Sequence, residues 1–241
     1  MNKIFFLLIH LFCFALIGFG QSVVIVPKKI TYTRTKPISE YNKNFTITYP
    51  IVQVGSTKLA KKIEASISYE KVMSFSVDNE INDSQWLEEA EYSVYYNQKG
   101  VLCIYLSFSG TGAYETFWGK YAVVDLKTGN RVFVKDVFKN LNGLAAMIRK
   151  IQKEEIEITT KEIKQAKDYG EVNTDDLFKY VDFKPINLEN FSLNADGVIF
   201  QYHYGFPRIY YPLEPSGNYF ISWKEIKPFI KRDGLLEKFI R

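Results

Sequence analysis

Outside the apolar first 20 residues, this 241-residue sequence holds one histidine, His203 in FQYHY, and one cysteine, Cys103 in VLCIYLSF. A histidine could act as general base toward a serine hydroxyl, and a thiolate could act as a nucleophile. Neither residue has the company such chemistry needs. No G-x-S-x-G elbow accompanies His203. A zinc centre takes several His or Cys ligands, so no metal and no cofactor is expected. Cys103 lies in an apolar run and reads as a buried small hydrophobe. A single cysteine cannot close an internal disulfide. Carboxylates offer pairs such as Glu115 with Asp125, or Glu88 with Glu89, in the acid and base roles of a hydrolase. With 27 acidic residues in the chain, such pairs arise without any catalytic purpose.

The stretch GTGAYETFWGKYAVVDLKTG, residues 110 to 129, opens on Gly-x-Gly. A dinucleotide loop needs a third glycine and then a helix whose N-terminus holds the pyrophosphate. Here Gly112 is followed by Ala-Tyr-Glu-Thr, and YAVVDL then alternates as a strand. The Lys-Ser or Lys-Thr of a P-loop is also missing, so a tight turn is expected, where glycine accepts unusual backbone angles. The aromatic residues that follow are more informative. Tyr114, Phe117 and Trp118 cluster after the glycines, and Tyr202, Tyr204, Phe206, Tyr210 and Tyr211 cluster around Arg208. Rings beside a guanidinium are the chemistry of sugar stacking and of protein hot spots. The candidate ligand-binding residues are therefore Tyr114, Phe117, Trp118, Tyr204 and Arg208. The competing assignment is core and strand-pair packing. Tyr114 and Trp118 are the better candidates for exposure, because they sit in a loop flanked by glycines.

The compartment is legible at the N-terminus. In MNKIFFLLIHLFCFALIGFG, Lys3 supplies a basic start, residues 4 to 17 are apolar apart from His10, and Gly18 and Gly20 stand at −3 and −1. This is the pattern of a signal peptide cleaved before Gln21. The alternative is an uncleaved anchor, for which the run is short. Cys13 lies inside the run, so lipid attachment is not expected. The membrane enters only during export, and the location is periplasmic or extracellular. The chain's net charge is +4, which falls to +3 without Lys3. That is too small and too evenly spread for a nucleic-acid partner.

The supporting elements follow from periodicity. Residues 22–34 and 44–53 read as strands, the first an edge strand because of Pro27. Ser56 caps a helix with Leu59, Ile63 and Ile67 on one stripe. Residues 74–88 read as a loop or irregular strand. AEYSVYYNQ, a Gln98-Lys99-Gly100 turn and VLCIYLSFS form a hairpin. YAVVDL ends in a turn at Lys127-Thr128-Gly129-Asn130, and RVFVKDVF resumes a strand. A helical half covers 137–168, with 152–168 as a solvated continuation closed by Gly170, and a short helix capped by Thr174 follows. Asp196-Gly197 makes another hairpin, and WKEIKPFI is a last short helix. The whole reads as one α+β domain over 21–241, mainly an antiparallel sheet with helices packed on one side.

Four segments, taken in order, resemble a known family. They are the Tyr49-Pro50 strand with its following helix, the 90–109 hairpin leading to the glycine loop, D-L-x-T-G at 125–129 with V-F-V-K-D-V-F at 132–138, and F-S-L-N-A-D-G-V-I-F-Q-Y at 191–202 leading to S-W-K-E-I-K-P-F. Over about residues 44–231 the chain resembles the extracytoplasmic domain of unknown function of lysozyme-sensing anti-sigma factors of the RsiV type. A similar domain precedes the catalytic domain of PdaC-type peptidoglycan deacetylases. The resemblance implies an α+β fold at the cell envelope. It implies no catalysis, because the deacetylase chemistry belongs to a separate metal-binding domain. Where the family's loop often carries histidine after Gly-Ala, this chain has Tyr114. The leading expectation is a secreted, non-catalytic binding domain whose partner is lysozyme or cell-wall peptidoglycan. The alternatives are an envelope hydrolase using carboxylates or His203, and a structural envelope protein without a specific ligand.

Overall fold

The computed structural model describes residues 22–38, 41–111, 114–165 and 172–241. The expected leader over 1–20, Gly112 and Gly170 lie outside them.

Alternating apolar and polar residues build the larger sheet. Its strands are β1 (Val24–Thr33), β2 (Asn44–Gln53), β3 (Leu87–Gln98), β4 (Val101–Thr111), β5 (Glu115–Asp125) and β6 (Asn130–Val132), lying side by side in that order. All neighbours are antiparallel except β2 and β3, which run parallel. A parallel pair needs a crossover, and residues 54–86 supply it through α1 (Thr57–Ser66) and α2 (Tyr69–Met73). Helix α1 starts where the Ser56 hydroxyl accepts the Leu59 N–H at 3.3 Å, the cap expected from the sequence. Ile63 and Ile67 of its stripe are buried, and with Tyr69, Val72 and Met73 they cover Phe45, Ile47, Leu102, Ile104 and Phe108. β1, with its Pro27, lies at the sheet edge, where a residue without an N–H breaks no ladder.

β4 is apolar on successive residues because both of its faces are covered. Leu102 and Ile104 face α1 and α2, while Val101 and Cys103 face a second core. That core is closed by a three-stranded antiparallel sheet of β7 (Phe191–Leu193), β8 (Gly197–Gln201) and β9 (Asn218–Ser222). Helix α3 (Leu141–Gln165) buries Leu144, Ala145 and Ile148 in the same core. At the expected turn after β7, Asn194 Oδ1 accepts the N–H groups of Asp196 (2.9 Å) and Gly197 (2.8 Å).

The α+β class and the mainly antiparallel sheet agree with the sequence. The helices do not all share one side, since α3 belongs to the core opposite α1 and α2. Three local assignments also change. Residues 74–88 hold helical turns at Val77–Asn79 and Glu80–Ser84 rather than a loop. The strand at RVFVKDVF stops at Val132, and Val134–Val137 forms a helical turn. Helix α4 (Thr174–Phe178) is capped by Asn173, whose Oδ1 accepts the N–H groups of Asp175 and Asp176, not by Thr174. A short α5 (Trp223–Ile226) follows β9, as WKEI predicts.

Candidate functional site

The β4–β5 hairpin carries the three loop aromatics. Its register pairs Phe108 with Trp118, Ser109 with Phe117 and Thr111 with Glu115. Successive strand residues point to opposite faces, so Phe117 and Trp118 part company. Trp118 lies edge-on against the buried Phe108, with ring centroids 5.2 Å apart, and is 36% exposed. Phe117 stands on the other face and is 68% exposed. Tyr114 at the tip is 64% exposed, and the Arg208 guanidinium lies over its ring, 4.3 Å from the centroid. Arg208 Nη1 also donates to the Glu115 carbonyl at 3.4 Å, across 93 residues of sequence. The two aromatic clusters thus meet at Tyr114 and Arg208.

Gly110 has a different reason to be glycine from the one the sequence suggested. It lies in β4, and a Cβ there would stand 2.1 Å from the Trp86 carbonyl oxygen. It permits two backbones to approach closely beside the irregularity between Leu87 and Glu89 in the β3–β4 register.

Tyr204 does not join the tip. It is buried, and its hydroxyl lies 2.8 Å from Glu155 Oε2 and 2.8 Å from the Tyr219 hydroxyl. The Tyr219 hydroxyl also donates to Glu155 Oε2 at 2.9 Å. Glu155 Oε1 accepts the Ser216 hydroxyl (2.9 Å) and the Gly217 N–H (3.2 Å). One carboxylate on α3 thus holds both ends of the connection between β8 and β9. Burial first, with the Glu155 carboxylate adding to it, pushes both tyrosine hydroxyls well above the usual tyrosine range, although the hydrogen bond from Tyr204 partly offsets this at Tyr219. The stretch read as a solvated continuation therefore contains an engaged side chain, and nothing in its charge spacing marks which glutamate that is.

His203 is exposed, with Nδ1 3.0 Å from Glu214 Oε1. The same oxygen accepts the N–H groups of Tyr204 and Gly205, so this carboxylate orders the loop. Glu115 and Asp125 sit at opposite ends of β5. Glu88 accepts from Asn42 at 2.9 Å, and Glu89 faces Lys29 at 3.9 Å. Cys103 is fully buried, and burial pushes its thiol up to about 12, so little thiolate exists near neutral pH. Among the described residues no group of three or more His, Cys, Asp or Glu side chains could hold a metal ion. Nor is any helix among them long and apolar enough to cross a membrane.

One buried ion pair left no mark in the sequence pattern. Arg34 and Glu80 are both 1% exposed, with Nη2 2.5 Å from Oε1. Arg34 also donates to the carbonyls of Leu87 (2.7 Å) and Asn42, and lies over the Phe45 ring. Glu80 Oε1 accepts the Leu87 N–H at 2.8 Å. The pair pins the end of β1 to the start of β3, and its role is architectural.

No family model matches the sequence, and no curated protein matches it. Solved structures do match. A member of the DUF3298 family from Bacteroides fragilis NCTC 9343 is 14% identical, with a TM-score of 0.57 over 90% of this chain and 97% of that one. A DUF3298 family protein from Pseudomonas aeruginosa PAO1 is 13% identical, with a TM-score of 0.57 over 88% of this chain and 95% of that one. The chain shares the fold of these DUF3298 proteins. At this level of identity the likeness concerns architecture, and it is consistent with a domain of unknown function.

Proposed function

We propose that the protein is an exported, non-catalytic binding domain of the bacterial cell envelope. Its β4–β5 tip grips a protein partner. The observation that carries this is the stacking of Arg208 on Tyr114 at an exposed apex beside Phe117. Tyrosine and arginine are the residues that dominate protein hot spots. The contact holds Arg208 in place before any partner arrives, which reduces the ordering cost of binding. One face of the Tyr114 ring is covered by the guanidinium, and Phe117 has no hydrogen-bonding atom. That composition suits an apolar protein surface better than a polyol. Export is supported by the leader pattern of residues 1–20. Lysozyme is the first partner to test, since the sequence resembles the extracytoplasmic domain of RsiV-type anti-sigma factors, whose sensing branch binds it. Wall peptidoglycan is the other ligand that resemblance offers.

The test is calorimetry of residues 21–241 against lysozyme at two salt concentrations. Saturable binding that survives salt is expected. Tyr114→Ala and Arg208→Ala should each weaken it by about tenfold, which corresponds to about 1.4 kcal/mol. Trp118→Ala should act less, because Trp118 faces the other side of the hairpin. Absence of heat would remove lysozyme as the partner. Binding indifferent to Tyr114 and Arg208 would move the site off the tip.

A further inference from the structure

We infer that the tyrosine-walled cleft between α4 and the β8–β9 connection is a second site, one that binds a neutral sugar ring. The cleft measures about 400 Å³, near the lower end of the roughly 300–1,000 Å³ usual for small-ligand sites. Tyr180, Tyr202 and Tyr210 line it together with Pro207, and Asn173 and Asp176 add polar groups from the start of α4. Tyr180 is 85% exposed, which no packing role explains. Lys179 Nζ lies over its ring, 5.3 Å from the centroid. Tyr202 is held edge-on against the buried Tyr204 (5.1 Å, 78°), and its hydroxyl accepts the Asp182 N–H at 3.3 Å. Beside them, Gly205 leaves open space, with nothing within 4 Å of where a Cβ would be.

A pyranose offers C–H faces and a rim of hydroxyls. Tyrosine faces suit the first, and phenol oxygens with a carboxylate suit the second. Among the described residues Asp176 is the one charged group in the lining, so a neutral, hydroxyl-rich guest fits better than an anion. A proline-rich peptide also docks on aromatic grooves, but it brings few donors for Asp176. The site is separate from the tip and does not rest on the protein-partner proposal. The turn Arg208–Leu213 gives Arg208 to the tip and Tyr210 to the cleft.

The experiment titrates residues 21–241 with the tetramer of N-acetylglucosamine, with cellotetraose and with a proline decapeptide. Calorimetry would be run at about 50 and about 500 mM salt, where screening differs strongly. The expected result is saturable binding of at least one tetrasaccharide, insensitive to salt. Tyr180→Ala and Tyr210→Ala should each weaken it by about tenfold or more, while Phe117→Ala leaves it unchanged. Tyr180→Phe should retain most of the affinity, and thermal melting would confirm that each variant is folded. Binding of neither sugar, binding of the peptide alone, or sugar binding that survives both alanine variants would overturn the inference.

Discussion

Glu155 accepts hydrogen bonds from two tyrosine hydroxyls, a serine and a backbone N–H. Removing it would leave one of the two buried tyrosine hydroxyls, which lie 2.8 Å apart, without an acceptor, and would free the Gly217 N–H and the exposed Ser216 hydroxyl. Glu155→Ala is expected to destabilise the fold by about 2–3 kcal/mol, the scale of a lost charge-assisted network. Ser216→Ala removes one exposed donor and should cost no more than about 1 kcal/mol. Urea denaturation midpoints of the two variants would check this, and equal midpoints would show that the network carries no stability. The same residues show where sequence reasoning stops. Tyr202 and Tyr204 stand two apart in an aromatic cluster and both border the cleft, yet Tyr202 stays partly exposed while Tyr204 is buried with its hydroxyl tied to Glu155. The deciding partner, Glu155, is 49 residues from Tyr204, and no local pattern reports a partner at that distance. Tyr114 was legible, because glycines beside an aromatic do mark an exposed turn.

At the scale of elements, the glycine stretch depends on two strands approaching closely. Gly110→Ala would drive a Cβ onto the Trp86 carbonyl, and overpacking of this kind costs about 1–3 kcal/mol. A matched control is Gly55→Ala, where nothing lies within 4 Å of the new carbon. The control should melt like the parent, while Gly110→Ala should melt lower. The β3–β4–β5 meander was readable because everything it needs is local. Its strands alternate, Lys99 and Gly100 adopt the positive φ of a tight turn (49° and 69°), and Asp125 holds Lys127 and Thr128 before Gly129. The parallel pairing of β2 with β3 was not readable, because register across a 33-residue crossover leaves no trace in either strand. The Arg34–Glu80 pair was missed for the same reason, since each residue alone reads as an ordinary surface charge.

For the whole molecule, the decisive feature is that β4 belongs to both cores. Leu102 and Ile104 serve one, and Val101 and Cys103 serve the other. Neither core can be lost without the strand that builds the other, so one cooperative transition is expected. Trp86 packs against the first core, and Trp223, stacked on Phe239 at 4.5 Å, reports on the second. Single-tryptophan variants retaining one or the other should unfold at the same urea concentration. Separated midpoints would mean two independent units. Alkali should act on both cores at once. Burial, before any other cause, raises the hydroxyls of Tyr49, Tyr69, Tyr121, Tyr204 and Tyr219 above the ordinary tyrosine value. The unfolded chain therefore releases these protons first. Their contribution to stability is complete below pH about 10 and is lost as pH rises beyond it. Urea midpoints should hold between pH 8 and 9.5 and fall steeply above about 10. A flat profile to pH 11 would contradict the burial of these rings.

The parallel seam between β2 and β3 also imposes a timetable. A chain made or threaded N-terminus first presents β1 and β2 early, with one flank of β2 unclaimed. That flank waits until the crossover and all of β3 have emerged. The hairpins of β3, β4 and β5 close over short loops and form quickly, whereas the distant pairing is slow. The oldest part of the chain is thus among the last to find its place. Through that interval its bare backbone edge is open to any passing strand, which is when an escort would matter most to this protein.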